Sequence, residues 1–429
     1  MKLRCIWCAA SFALGFQVAS GLAFTVNNSG PDAALLGEKS GYPVCPHVQA
    51  FSRPECRVGT WSAQHKVRLT SPVRPGTNPW TLPELPSQPS ISYRWGFSTN
   101  SVDDYLSSVK VTGLLIIKDG KIVVEKYQYS RDPSSRLISF SMAKTLTGML
   151  VGIAKSKGLI ESLDNAVSKY WPEIAESAYG QTTIRHLLRM SSGVPFRELY
   201  TFTPDDDLTA WGLVNNLPEN RGKPEKVIDF LNSKTAREVP QGTRFKYASI
   251  ESDILGRVLI KATGKSVSEL TEEWLWKPMG AESEARWSLS TTDRAERTQG
   301  DFNATLRDYG RFGMLLADDG ARDGIQIIPK DFLMEATDPA RQLPAFQPRR
   351  ATSYYGYGYQ TWILPFKQRT FAARGIHGQY IFVQPSSKIV MVQLSVFDQP
   401  GEGQDRLPHQ QTLALWNGVL KSLGGSTED

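Results

Sequence analysis

Ser141-Met142-Ala143-Lys144 places a hydroxyl three residues ahead of an amine. On a helix, positions i and i+3 share one face, so the two groups meet. Leu146, Met149, Leu150 and Ile153 follow at apolar positions and predict a buried helix over residues 141–157, ended by Gly158. Burial disfavours an ammonium ion, which permits a neutral lysine that takes the serine proton and leaves an activated nucleophile. The N-terminus of such a helix adds positive potential where an oxyanion develops. The pattern is weak by itself, because Ser107-Ser108-Val109-Lys110 repeats it. That second copy precedes a strand, has no buried helix after it, and reads as solvated surface.

Two further segments carry chemistry. Tyr247-Ala248-Ser249 follows Pro240-Gln241-Gly242 and precedes the apolar run 254–260. Its phenol can relay a proton where neighbouring cations stabilise the phenolate. Arg374-Gly375-Ile376-His377-Gly378-Gln379 sits among late strands, where glycines allow close approach of backbone to a ligand. An N–H there can complete an oxyanion hole with that of Ser141, and His377 is placed to bind a carboxylate or donate a hydrogen bond. His186, between apolar neighbours, reads as structural. None of the five histidines pairs with Ser141 in a Ser-His-Asp pattern.

The elements that must position these groups are legible in outline. Residues 111–117 and 122–127 read as paired strands around Asp119-Gly120. Residues 159–287 read as mostly helical, with a long polar loop over 191–221 that carries Asp205, Asp206 and Asp207; these acids either meet an amine or are solvated. Another helix is expected over 306–316, strands over 358–364, 370–375, 380–383 and 389–395, and a last helix over 410–423. This order predicts an α/β fold in which early and late strands share one antiparallel sheet, flanked by helices, with an inserted helical lobe over about 159–290.

The remaining features bound the class. Lys2 and Arg4, an apolar stretch over 5–24, and Gly21 and Ala23 before a cut after residue 23 read as a secretory signal. Export leaves Cys45 and Cys56 of four cysteines, an even remainder that suggests one disulfide. Neither has ligand-like spacing, so no metal is implied. Residues 24–100, broken by prolines, read as an extension that wraps over the body, residues 101–423 as the main domain and 424–429 as a tail. Forty per cent apolar residues and 11 Trp among 429 residues suit a folded enzyme. A net charge of +6, with no dense basic run, argues against nucleic acid as a partner. No later segment has 18 consecutive apolar residues, so no membrane contact is expected beyond the export signal, and the chain reads as periplasmic or secreted. Oligomeric state is not legible.

Together, Ser141-x-x-Lys144, Tyr247-x-Ser249 and the late Gly375-Ile376-His377-Gly378-Gln379 strand resemble the serine β-lactamase and penicillin-binding-protein-like superfamily. Supporting matches are Thr183-Ile184-Arg185-His186-Leu187-Leu188 with Ser192-Gly193, residues 164–172, and Gly300-Asp301-Phe302-Asn303-Ala304-Thr305. The resemblance covers roughly residues 100–423. Within it the chain looks similar to 6-aminohexanoate-dimer hydrolases and their carboxylesterase relatives. That resemblance implies a β-lactamase-like fold and catalytic roles for Ser141, Lys144 and Tyr247, with Ile376 N–H as second oxyanion donor. It places Glu198 and Tyr200 in a mobile substrate loop and Asn303 at the cleft. It implies cleavage of small amides or esters through an acyl-enzyme, with no cofactor. The alternative it leaves open is a penicillin-binding or peptidoglycan-related protein with weak turnover. The sequence departs from β-lactamases where Ser249 stands in place of Asn and where the late strand lacks Lys-Thr-Gly, which weakens a β-lactam carboxylate site. A Gly-x-Ser-x-Gly elbow is absent, against an α/β-hydrolase fold.

Overall fold

The computed structural model describes residues 24–87, 89–401 and 403–429; the expected signal, residues 1–23, lies outside them. Val111–Lys118 and Lys121–Tyr127 form the expected hairpin. Asp119 and Gly120 turn it with φ of 50° and 73°, the paired left-handed geometry of a two-residue hairpin loop. Val111–Lys118 also pairs with Ile389–Ser395, which joins the chain's two ends. The sheet then continues through Gln379–Gln384, Phe371–Gly375, Trp362–Ile363 and Gly356–Tyr357, each antiparallel to its neighbour. Thr25–Val26, from the N-terminal extension, adds a parallel edge strand beside Lys121–Tyr127.

Side-chain alternation gives this sheet two buried faces. Leu115, Ile117, Val390 and Val392 join one core with helix Leu306–Ala317. Leu114, Ile116 and Met391 join another with Leu415, Trp416 and Val419 of helix Arg406–Ser422. That last helix begins earlier than residue 410 because Pro408 falls in its first turn, where a missing N–H breaks no helical bond.

The lobe's regular elements are helices, as expected, among them Ile184–Leu188, Asp207–Asn216, Glu225–Asn232 and Ser249–Thr263, joined by long irregular stretches. One expectation within it is corrected. The polar loop over 191–221 holds a helix of its own. Its start is fixed by Asp206, which accepts from Leu208 N, Leu199 N and Thr201 N. Within the acidic run Asp206 therefore works as a helix cap, while Asp207 pairs with Lys234 and Arg197 of the protein itself. Finally, the proline-rich extension supplies Thr70–Val73 to a second sheet, with Ala285–Ser288, Phe302–Thr305 and Arg136–Ile138. Pro72 is tolerated there because Thr70–Val73 is an edge strand. The Cys45–Cys56 disulfide is formed.

Candidate active site

The second sheet leads into Ser141, the candidate nucleophile. Strand Arg136–Ile138 runs into Ser139, whose N–H donates to Phe302 O at 2.8 Å. Phe140 then takes φ of 42°, a left-handed conformation that bulky residues rarely adopt. It is held there by Trp61 at 5.1 Å edge-on, Phe51 at 6.0 Å and the His377 ring at 5.7 Å. Ser141 is the N-cap of helix Met142–Ser156, yet its hydroxyl caps nothing and stays available. Lys144 Nζ donates to Ser141 Oγ at 2.8 Å and also to Gln299 O. Its stem lies within the main core, and the residue is 2 % exposed. Burial takes the amine down to about 8, against the pull of Glu198, Asp253 and Asp301.

Tyr247 enters from the other lobe, just ahead of helix Ser249–Thr263. Its ring lies 5.1 Å from Lys144 Nζ and stacks on Trp362 at 5.4 Å. Burial and the nearby Glu198 carboxylate push its hydroxyl well above the ordinary tyrosine range, against a hydrogen bond with Ser141 and the field of Arg374. The expected phenolate is therefore not what the surroundings favour. Tyr247 is a protonated phenol, fitted to give a proton rather than to start as a base.

Ser249, Glu198 and Tyr200 form one locked cluster. Glu198 accepts from Ser249 N and Ser249 Oγ at 2.7 Å each, and from Tyr200 OH at 2.5 Å. The carboxylate sits at the start of helix Ser249–Thr263, where it is favoured by the unpaired N–H groups. It fastens its loop to that helix, and its field raises both Lys144 and Tyr247.

On the opposite wall, strand Phe371–Gly375 presses its last residue against the nucleophile turn. A Cβ on Gly375 would lie 2.4 Å from Ser139 O and 3.0 Å from Ser141 N, so only glycine fits. Ile376 follows directly and lines the same cavity as Ser141. His377 does not face that cavity. Its Nδ1 meets Phe397 O at 2.7 Å and its ring packs 4.7 Å from Trp61. Burial takes the imidazole down to about 3, so it is neutral. The expected carboxylate-binding role is corrected to a packing role beneath Phe140. Asn303 is corrected likewise: it is buried within strand Phe302–Thr305, opposite Ile138 and Arg286. The second Ser-x-x-Lys copy is dispersed, with Ser107 Oγ on Asp104 O and Lys110 paired with Asp32 and Asp398.

A cavity of about 500 Å³ opens over Ser141. Several of its walls were not singled out in the sequence: His47, Phe51 and Arg68 come from the extension, and Arg297 and Asp301 from the segment after strand Ala285–Ser288. Asp301 lies inside a quoted motif, but nothing in that motif marked it as facing the cleft. Arg68 gave no signal, because a proline-broken wrapper carries no periodicity to show which side chains turn inward.

This geometry has known counterparts. Residues 103–415 match the beta-lactamase family. A 6-aminohexanoate-dimer hydrolase from Paenarthrobacter ureafaciens is 24 % identical over 302 residues, 70 % of this chain and 76 % of that protein. A Bacillus anthracis protein, whose solved structure carries that same name provisionally, shares the fold at TM-score 0.74 and 22 % identity. It aligns over 85 % of this chain and 94 % of its own. A family VIII carboxylesterase aligns at TM-score 0.55 and 17 % identity, over 74 % and 93 % of the two chains. The order of motifs, the two-faced antiparallel sheet and the match across most of the chain give one conclusion: this protein belongs to the beta-lactamase family.

Proposed function

We propose that the chain is an exported serine hydrolase that cleaves small amides or esters through an acyl-enzyme, in the manner of the 6-aminohexanoate-dimer hydrolases. The observation that carries this reading is the buried Lys144 amine, held at about 8 and 2.8 Å from Ser141 Oγ. Ser141 Oγ attacks the carbonyl carbon as Lys144 takes its proton. The N–H groups of Ser141 and Ile376 receive the oxyanion. Tyr247 gives its hydroxyl proton to the departing oxygen or nitrogen and regains one from Lys144. The carbonyl–leaving-group bond breaks and leaves an ester on Ser141. Water then attacks that ester as Lys144 takes its proton; the acyl–Oγ bond breaks, Lys144 returns the proton to Ser141 Oγ, and the acid and free Ser141 are released. The Cys45–Cys56 bond supports an oxidising compartment, in keeping with export.

The test is labelling with a fluorophosphonate probe, alongside turnover of p-nitrophenyl esters, the 6-aminohexanoate dimer and nitrocefin. Wild type should label and turn over ester or amide repeatedly. Equal labelling of Ser141→Ala defeats the assignment of the nucleophile.

A further inference from the structure

The geometry points to an anion subsite in the cavity over Ser141, built from Arg68 and Arg297, that takes the carboxylate end of an amphipathic substrate. This deepens the hydrolase reading and rests on it. Arg297 is 7 % exposed, and its Nε donates to Asp301 Oδ2 at 2.7 Å, while its Nη1 has no hydrogen-bond partner. Arg68, whose side chain is 9 % exposed, reaches the same Asp301 oxygen at 3.4 Å and donates to Asn216 Oδ1 at 3.2 Å. Two guanidinium groups thus share one carboxylate, with Asp253 the other anion acting on Arg68, and one buried Arg297 N–H is left without an acceptor. Burial takes Arg68 down only to about 10, so it stays charged at neutral pH. Burial raises Asp301, but Arg68 and Arg297 pull it down to about 2, so it stays ionised and neutralises only one of them.

The other titratable groups around the cavity do not supply that acceptor. His47, whose Nδ1 is also unpartnered, is held neutral by burial, which takes it down to about 3. The carboxylates of Asp206 and Glu198 are already taken by backbone N–H groups and hydroxyls. A buried guanidinium N–H without an acceptor is costly, and a planar carboxylate is its natural partner. Leu208, Leu213, Leu217 and Leu289 line the same cavity and give it apolar walls. Charge and hydrocarbon within one cavity describe an acid with an alkyl stem. Arg68 lies outside residues 103–415 and Arg297 inside them, so the extension completes a subsite that the matched family region holds only in part.

The experiment compares kcat/KM for two matched ester pairs. One pair carries the charge on the acyl side: mono-p-nitrophenyl adipate against p-nitrophenyl hexanoate. The other carries it on the leaving group: 4-carboxyphenyl against phenyl butyrate. In at least one pair the charged ester should be favoured about tenfold, as expected for one charge-assisted contact. That ratio should shrink with added salt, collapse toward one in Arg68→Gln and survive partly in Arg68→Lys. A charged-to-neutral ratio of one or less in both wild-type pairs overturns the subsite, whether or not the variants fold. So does a ratio that Arg68→Gln leaves unchanged. Failure to hydrolyse any ester, neutral ones included, would instead strike the hydrolase reading itself.

Discussion

If Lys144 is the base, the rate must follow its free amine. The amine at about 8 is neutral in roughly 1 % of molecules at pH 6, 9 % at pH 7 and 90 % at pH 9. An ordinary lysine at 10.5 would be neutral in only about 0.03 % at pH 7, so burial raises the reactive share about 300-fold, worth roughly 3 kcal/mol. The sign follows from the charged form being the inactive one. Activity is lost as pH falls through about 8 and levels off above it. The assay is kcat/KM for a neutral ester between pH 6 and 9.5, which reports the free enzyme. Below pH 7 the slope should approach tenfold per unit. Lys144→Arg keeps a cation that cannot give up its proton, and should lose about 10²–10⁴-fold at every pH. A flat profile, or a rise centred near 6.5 where histidine titrates, would refute the assignment of Lys144 as base.

Glu198→Gln removes a carboxylate that raises Lys144, so the rising limb should move to lower pH in the same assay. A shift to higher pH would contradict the electrostatic picture. Gly375→Ala forces a methyl group to within 2.4 Å of Ser139 O, so the strand must back away from the nucleophile turn. Steady-state kinetics should show kcat reduced about 10²–10³-fold, the size of a lost oxyanion donor, with KM changed far less. Replacing Cys45 and Cys56 by Ser opens a loop whose ends are 11 residues apart and should cost about 3 kcal/mol of stability, measured by denaturant unfolding. Because that loop carries His47, Val48 and Phe51 into the cavity, KM should rise as well.

The residues of the candidate site were readable because each sits beside a strong local signal. Ser141 opens an apolar helix, Tyr247 precedes another, and Gly375 ends a β-rich run. The hairpin at Asp119-Gly120 follows from its turn signal, and the flanking and late strands from near-continuous apolar runs at 111–117 and 389–395 that are buried on both faces. What escaped was anything set by contact across the chain. His377 sits in a glycine-rich strand end that looks ligand-facing, yet its ring is claimed by Trp61 and Phe140. Asn303 faces the interior of a small sheet that no periodicity announced, since two of its strands come from distant segments. The direction of the Tyr247 shift depended on its burial and, after that, on Glu198, 49 residues earlier in sequence order and brought close by Ser249.

The left-handed Phe140 has a practical corollary. A strained backbone survives only where its surroundings over-determine it. Here two of the three rings that pin it, Phe51 and Trp61, belong to the segment ahead of residue 103, where the family match begins. A fragment trimmed to the matched boundaries would keep serine, lysine and tyrosine and yet lose the brace that aims the serine. Boundaries drawn from family likeness would cut through the candidate site in this protein.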